Sequence, residues 1–314
     1  MSQEVQDLLK RADLAIANLT TDGGYLNAEQ SDRFLRTVEE QPTLINLVRS
    51  VRMNSPQMEI NKVGFGARIM RAAVENTALS QNQRSKPDFS TIELSTKEVI
   101  AEVRIPYGVL EDNIERGNFE QTLLTLIGER AALDFEELLI QGDVTLSGSD
   151  PYLGLHNGIL KRTVSNIVDC DGPPKLLIRS AAFNAMLKSL APKYRRNKNS
   201  LKFFTTHDID QDYREIIAGR QTALGDAVIQ GVNGNMRVHG VEIVPCSLMP
   251  DETVFLGNPQ NVIWGVQRQI RVESERLISE RQLKVVLTAR VAIEMEDEEA
   301  VAKGLNLNND EDEG

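Results

Sequence analysis

The chain has 314 residues, 41% of them hydrophobic and 5% aromatic, enough for one large core or two modest ones. A formal net charge of −11 argues against a dedicated nucleic-acid binder, because phosphate neutralisation needs a surplus of Lys and Arg, but not against a protein that merely encloses DNA. No apolar run is long enough to span a bilayer, residues 1–10 lack the apolar block of a secretory signal, and the two cysteines, Cys170 and Cys246, follow no metal spacing.

Residues 3–19 place Val5, Leu8, Leu9, Ala12, Ile16 and Leu19 at helical spacing, and a second short helix is expected over 28–38 behind Asn27. From 58 to 105 the pattern becomes strand. Met58, Ile60 and Lys62 alternate with Glu59, Asn61 and Val63, and Val99, Ala101, Val103 and Ile105 alternate with Ile100, Glu102 and Arg104. These are read as the two arms of a long hairpin whose polar tip covers 76–88. An isolated two-stranded ribbon is marginal in water, so a neighbouring subunit is the economical cover.

A long helix is expected over 118–141, capped by Asn118 with Gln121 in the capping-box position and closed by Gly142. Its length, roughly 35 Å at 1.5 Å per residue, suits a strut. An α/β alternation follows, with strands at 175–178, 201–205, 238–245 and 253–256 and helices at 180–190 and 208–218. Strand-like runs at 261–266, 270–274 and 283–295 come next, the last placing Val285, Leu287, Ala289, Val291 and Ile293 on one face. The acidic run 296–299 reads as a solvated end and 305–314 as a loose tail.

Tests for chemistry fail. Gly64-Phe65-Gly66 lacks the third glycine and the strand-to-helix setting of a dinucleotide loop, and no P-loop, His-Glu-x-x-His or Gly-x-Ser-x-Gly occurs. His156, His207 and His239 fall in or beside loops; His207 next to Asp208 reads as a loop histidine beside a helix-capping aspartate. The cluster Lys193-Tyr194-Arg195-Arg196-Asn197-Lys198 is either a nucleic-acid contact or, the favoured reading at this net charge, a loop that is solvated or pairs with acidic neighbours across an interface. Gly117, Gly142, Gly154 and Gly158 mark the joints of the long helix, where each is expected to supply a backbone conformation closed to other residues.

The order of these elements resembles the major capsid proteins of tailed bacteriophages, the Hong Kong 97 fold. The resemblance runs over nearly the whole chain and is carried by Asn113-Ile114-Glu115-Arg116-Gly117, by Glu136-Glu137-Leu138-Leu139-Ile140-Gln141-Gly142-Asp143 and by Gly154-Leu155-His156-Asn157-Gly158-Ile159-Leu160. Val238-His239-Gly240-Val241-Glu242-Ile243-Val244-Pro245, Leu248-Met249-Pro250, Phe255-Leu256-Gly257-Asn258 and Ile270-Arg271-Val272-Glu273-Ser274-Glu275-Arg276 continue it in order. The resemblance implies an α+β capsid fold. Its parts are an N-terminal arm at 1–55, an extended loop at 56–107, a peripheral β-ribbon domain at 108–153 and 260–297 with the spine helix, and an α/β axial domain at 154–259 and 298–314.

The function so implied is a structural subunit, not an enzyme, without catalytic residues, cofactor or metal. It assembles into hexamers and pentamers of an icosahedral head shell around double-stranded DNA, in the virion and in the host cytoplasm during assembly. The expected partners are sister copies, a separate scaffolding protein or none (only about fifty residues precede the hairpin), a portal, a decoration protein and the packaged DNA, bound without sequence specificity; no membrane is involved. Expected inter-subunit contacts are Ile60, Phe65, Arg68, Arg71, Lys86, Phe89, Glu102, Arg104, Arg195 and Arg196. Some members join subunits by Lys–Asn isopeptide bonds; here Lys86 lies near the hairpin tip but Gln282 stands where an Asn is wanted, so no such bond is expected. An encapsulin-like compartment subunit, of the same fold, and a soluble α/β enzyme or binding module are the alternatives.

Overall fold

The computed structural model describes residues 42–65, 68–70, 72, 78, 80, 82, 84, 86–112, 119–172, 177–178, 180–218 and 236–308. The helices expected over 3–19 and 28–38, the cap Asn118, and Gly117 lie outside them. Two compact units divide the chain: one holds Ile100–Ala132 and Ile270–Thr288, the other Pro42–Val99, Leu133–Gln269 and the chain from Ala289 onward.

The larger unit contains a six-stranded sheet in the order β5-β12-β9-β6-β8-β7. Its members are β5 (Ile167–Asp169), β6 (Lys202–Thr205), β7 (Arg237–Val238), β8 (Val241–Pro245), β9 (Val254–Gly257) and β12 (Ala302–Leu305). β6 and β8 run parallel, and the helix α5 (His207–Ala218) lies between them in sequence, the crossover that parallel pairing demands. All four residues of β9 are buried, as befits a strand covered on both faces. Against the sheet pack Ala182, Phe183, Met186 and Leu187 of α4 (Ser180–Ser189) and Ile209 and Tyr213 of α5. Phe183 meets the rings of Phe203 and Tyr213 edge-on at centroid distances of 4.9 and 5.2 Å, the favoured aromatic geometry.

A second sheet, in the order β1-β10-β11-β4, comprises β1 (Arg49–Arg52), β4 (Lys97–Pro106), β10 (Val262–Leu277) and β11 (Gln282–Met295). β11 buries Val285, Leu287, Ala289, Val291 and Ile293, the face its alternation predicts. In the smaller unit Ile105, Leu283 and Val285 form a core with Tyr107, Val109 and Ile127, the last from the long helix. The short α1 (Tyr107–Asp112) precedes that helix, α2 (Phe119–Gln141), and α3 is the single turn Ile159–Arg162.

Several expectations change. The arm at 58–63 pairs not with 99–105 but with β3 (Asp88–Ser95), antiparallel to β2 (Gln57–Gly64) in the register Met58↔Leu94 and Val63↔Phe89. Residues 97–106 form β4 beside β11 instead. Of the strand expected over 175–178, residues 175 and 176 lie outside the described residues and Ile178 sits in a turn. The expected strand 238–245 is a hairpin, broken at His239 and Gly240, which have φ of 51° and 89°; a two-residue turn of that kind needs positive φ at both positions. The runs at 261–266 and 270–274 are one strand, β10. Residues 305–308 of the expected tail are docked, the rest lying outside the described residues: the amide of Leu307 donates to the Glu252 carbonyl at 2.9 Å and that of Ile178 to the Asn308 carbonyl at 3.2 Å. Gly142 and Gly158 are needed for space, not for an unusual φ. A Cβ on Gly142 would stand 2.4 Å from the His156 carbonyl oxygen, and one on Gly158 would stand 2.7 Å from that of Ile140.

Candidate functional site

The hairpin β2–β3 has two unlike faces. Residues directly opposite in an antiparallel pair share a face. One face carries Met58/Leu94 and Ile60/Ile92, which pack on Met53, Ile263 and Ala292. Beneath them Gly265 leaves no room for a side chain: a Cβ there would lie 2.8 Å from Met53 Sδ and 3.0 Å from Leu94 Cδ2. The root is therefore covered by the chain itself, which corrects the expectation that the whole hairpin needs outside cover. The other face carries Glu59/Glu93, Asn61/Thr91 and Val63/Phe89, all exposed. Beyond the root, Val63 (57%), Phe65 (58%), Ile69 (52%), Met70 (81%) and Phe89 (73%) are open to solvent. That is a large apolar surface for one end of a two-stranded ribbon to leave open to solvent.

The hairpin is also latched. Lys62 Nζ donates to Asp297 Oδ2 at 3.3 Å, and Tyr194 Oη donates to the same oxygen at 2.5 Å. Burial pushes the Asp297 carboxyl up, but the Tyr194 hydroxyl and the Lys62 ammonium more than offset it and hold it below the usual carboxylate range. The acidic run is thus a hub and not a solvated end. Glu296 pairs with Arg49 at 3.4 Å, Glu299 with Lys193 at 3.4 Å, and Glu298 accepts from the amides of Val164 and Ser165 at 2.7 and 2.6 Å. Between hub, hairpin and the loop at 193–198 lies a cavity of about 700 Å3, lined by Arg49, Lys62, Lys193 and Arg196 against Glu296 and Asp297.

A third constellation sits at the end of α2. Glu136, 2% exposed, accepts from the Leu44 amide at 3.0 Å and from Thr43 Oγ1 at 3.2 Å. Burial raises its pKa, against the opposing pull of the Leu44 amide and Thr43. Thr43 Oγ1 also lies 3.0 Å from Cys246 Sγ, a buried thiol that desolvation pushes up to about 12. His156, beside Gly142, is buried with Nε2 3.0 Å from the Val291 carbonyl, and desolvation lowers its pKa to about 4. A carbonyl only accepts, so the neutral ring carries its proton on Nε2. Sequence reasoning missed Glu136. Its signal was present: it falls three and four residues before the buried Leu139 and Ile140, on the helix's apolar side.

Of the expected contact residues, Phe65, Arg68, Lys86 and Phe89 are exposed on the distal hairpin, and Ile60 is half-buried on the chain's own core. Arg71 lies outside the described residues. Glu102 and Arg104 pair with each other at 2.7 Å, and further with Lys284 and Glu280 at 3.1 and 3.3 Å. Arg196 is exposed and Arg195 half-exposed, away from the hairpin in sequence but in the same unit. His207 Nε2 lies 3.1 Å from Ser247 Oγ, and no group of three or more His, Cys, Asp or Glu converges among the described residues.

A long helix, an α/β unit around a six-stranded sheet, a β-ribbon of 16- and 14-residue strands and a hairpin whose end is exposed define a shell-building subunit of the Hong Kong 97 type. Solved structures share that fold. The capsid of an empty GTA particle superposes with a TM-score of 0.64 at 16% identity, over 92% of this chain and 98% of that one. The procapsid of satellite phage P4 including size determination (Sid) protein gives 0.62 at 17% identity, over 98% of both. The chain belongs to the phage capsid family, whose model matches residues 23–305. The prophage capsid protein YqbE of Bacillus subtilis (strain 168) is 39% identical over 310 residues, 95% of this chain and 97% of that protein. The protein is a structural component of a phage or prophage capsid.

Proposed function

We propose that copies of this chain associate into rings of five and six that close an icosahedral head around double-stranded DNA. The uncovered distal hairpin carries this reading, because a ribbon with Val63, Phe65 and Phe89 exposed gains its stability where a neighbour covers it. The hairpin β2–β3, residues 57–95, serves as the loop laid across a sister copy, α2 as the strut, the six-stranded sheet as the axial domain near ring centres, and β10–β11, with β4 beside them, as the peripheral ribbon. Phe65, Arg68, Lys86 and Phe89 provide the loop's contacts. Each stable interface buries roughly 1,200–2,000 Å2 in total. Repetition around a closed shell turns modest contacts into high overall stability. A scaffolding protein, a portal and a decoration protein are the further partners, and assembly takes place in the host cytoplasm. The DNA is held without base-specific contacts, consistent with the −11 charge.

Electron microscopy and sedimentation of the purified protein test the reading. Closed shells with nuclease-protected DNA in native particles are expected. A monodisperse small oligomer under all assembly conditions contradicts it, and shells filled with a protein cargo point to a nanocompartment instead.

A further inference from the structure

We propose that the outer face of the hairpin, centred on Glu59 and Glu93, docks on Arg195 and Arg196 of a second copy; this rests on the shell reading and names the two surfaces that meet.

The register places Glu59 directly opposite Glu93. Opposite residues have Cβ atoms roughly 5 Å apart, and like charges so placed destabilise the pair. Both residues are exposed, and neither has an ion-pair partner among the described residues. The strain is not forced by packing among the described residues, since Glu59, Asn61, Val63, Phe89, Thr91 and Glu93 on that face are all exposed. A face that holds two unmatched carboxylates next to the apolar pair Val63 and Phe89 is built for a cationic partner with an apolar flank.

The same chain presents one. In the loop at 193–198, Lys193 is held by Glu299 and lies 4.4 Å from the Tyr194 ring centroid, and Lys198 donates to the His239 carbonyl at 3.1 Å. Arg195 and Arg196 have no carboxylate in ion-pair reach among the described residues, and Arg196 lines the cavity beside the hairpin root, where four cations face two carboxylates. Two unmatched acids and two unmatched bases therefore lie on different surfaces of one unit. The inner face of the hairpin is already bound to its own chain through Lys62 and Ile60, so the outer acids are turned to another copy. Acid face on one copy and base rim on the next make a head-to-tail contact, the type that generates rings. Planar guanidinium groups suit paired carboxylates because each forms two parallel hydrogen bonds.

The test is a charge reversal in the full chain. Glu59→Arg with Glu93→Arg is expected to lower shell yield about tenfold or more, because it sets like charges against each other at every copy of a repeated interface. Adding Arg195→Glu and Arg196→Glu in the same chain is expected to restore shells to within about twofold of the parent. All four positions are exposed or half-exposed, so thermal melts of the variants should match the parent. As a second measurement, the paired variants Glu59→Cys and Arg196→Cys, mixed under oxidation, should give disulfide-linked dimers in assembled particles; Cys170 and Cys246 are buried and do not compete. Undiminished shells from the reversed hairpin, failure of the fourfold variant to recover, or loss of packaged DNA alone on reversing Arg195 and Arg196 would each overturn the pairing while leaving the shell reading intact. A parent protein that forms no shells at all would instead count against the shell reading.

Discussion

Gly265 and Gly142 both lack room for a methyl group, yet the two sites respond differently to one. At Gly265 the crowding atoms are the ends of side chains, Met53 Sδ and Leu94 Cδ2, which can yield a little. Gly265→Ala is expected to cost about 1–3 kcal/mol, the usual range for overpacking. At Gly142 the obstacles are backbone carbonyl oxygens at 2.4 and 2.6 Å. Backbone held on two sides does not give way, so Gly142→Ala should cost more than about 4 kcal/mol. Urea titrations of the two variants rank them; equal losses would contradict this account. His156 supplies a pH signature. Its folded pKa of about 4 lies below the unfolded value of 6.5, so the folded state prefers the neutral ring. The stabilisation is complete above pH 6.5 and is lost as pH falls towards 4, to the extent of about 3 kcal/mol. His156→Asn should flatten that part of the stability curve while lowering stability at neutral pH. Glu136 grips the chain at Thr43 and Leu44. Glu136→Ala leaves the Leu44 amide buried without its acceptor, at a cost of about 2–3 kcal/mol, and hydrogen exchange at Leu44 should quicken.

At the scale of elements, the hairpin is held by an apolar root and a polar latch of unequal weight. Lys62 and Asp297 are 36% and 28% exposed, so their ion pair is worth less than about 1 kcal/mol. Asp297→Asn should leave the global unfolding free energy nearly unchanged. It should still accelerate amide exchange in β2 and β3 near Lys62, a local effect that mass spectrometry resolves; unaltered exchange there would dismiss the latch. The strands also show what a sequence conveys. The alternation of β11 named its buried face residue by residue, because one face meets a core along its whole length. The partner of β2 was misread because 88–95 and 97–106 both alternate, and a period of two states which face is buried but not which strand lies alongside. β1, β5 and β12 are not legible because they are short and lack the aromatic and aliphatic run that marks the equally short β6 (Lys-Phe-Phe-Thr) and β9 (Val-Phe-Leu-Gly). The acidic run at 296–299 reads as solvated in the sequence because its partners, Arg49, Lys62, Tyr194 and Lys193, lie about 100 to 250 residues away. Of the site, the exposed apolar residues of the hairpin were legible. The division into a self-covered root and an uncovered end needed Met53 and Gly265, whose proximity only the fold reveals.

The whole molecule joins a well-buried α/β unit to a ribbon end that the described residues leave bare. A soluble solitary protein has little use for Val63, Phe65, Met70 and Phe89 in water, and a shell subunit has every use for them. The measurement that bears most directly on this is hydroxyl-radical footprinting of the same protein as dissociated subunits and as assembled particles. Phe65, Met70 and Phe89 should be strongly labelled in the subunits and protected severalfold in the particles, while a residue buried in both states, such as Phe203, should not change. Equal labelling of the hairpin end before and after assembly would mean that no sister copy covers it.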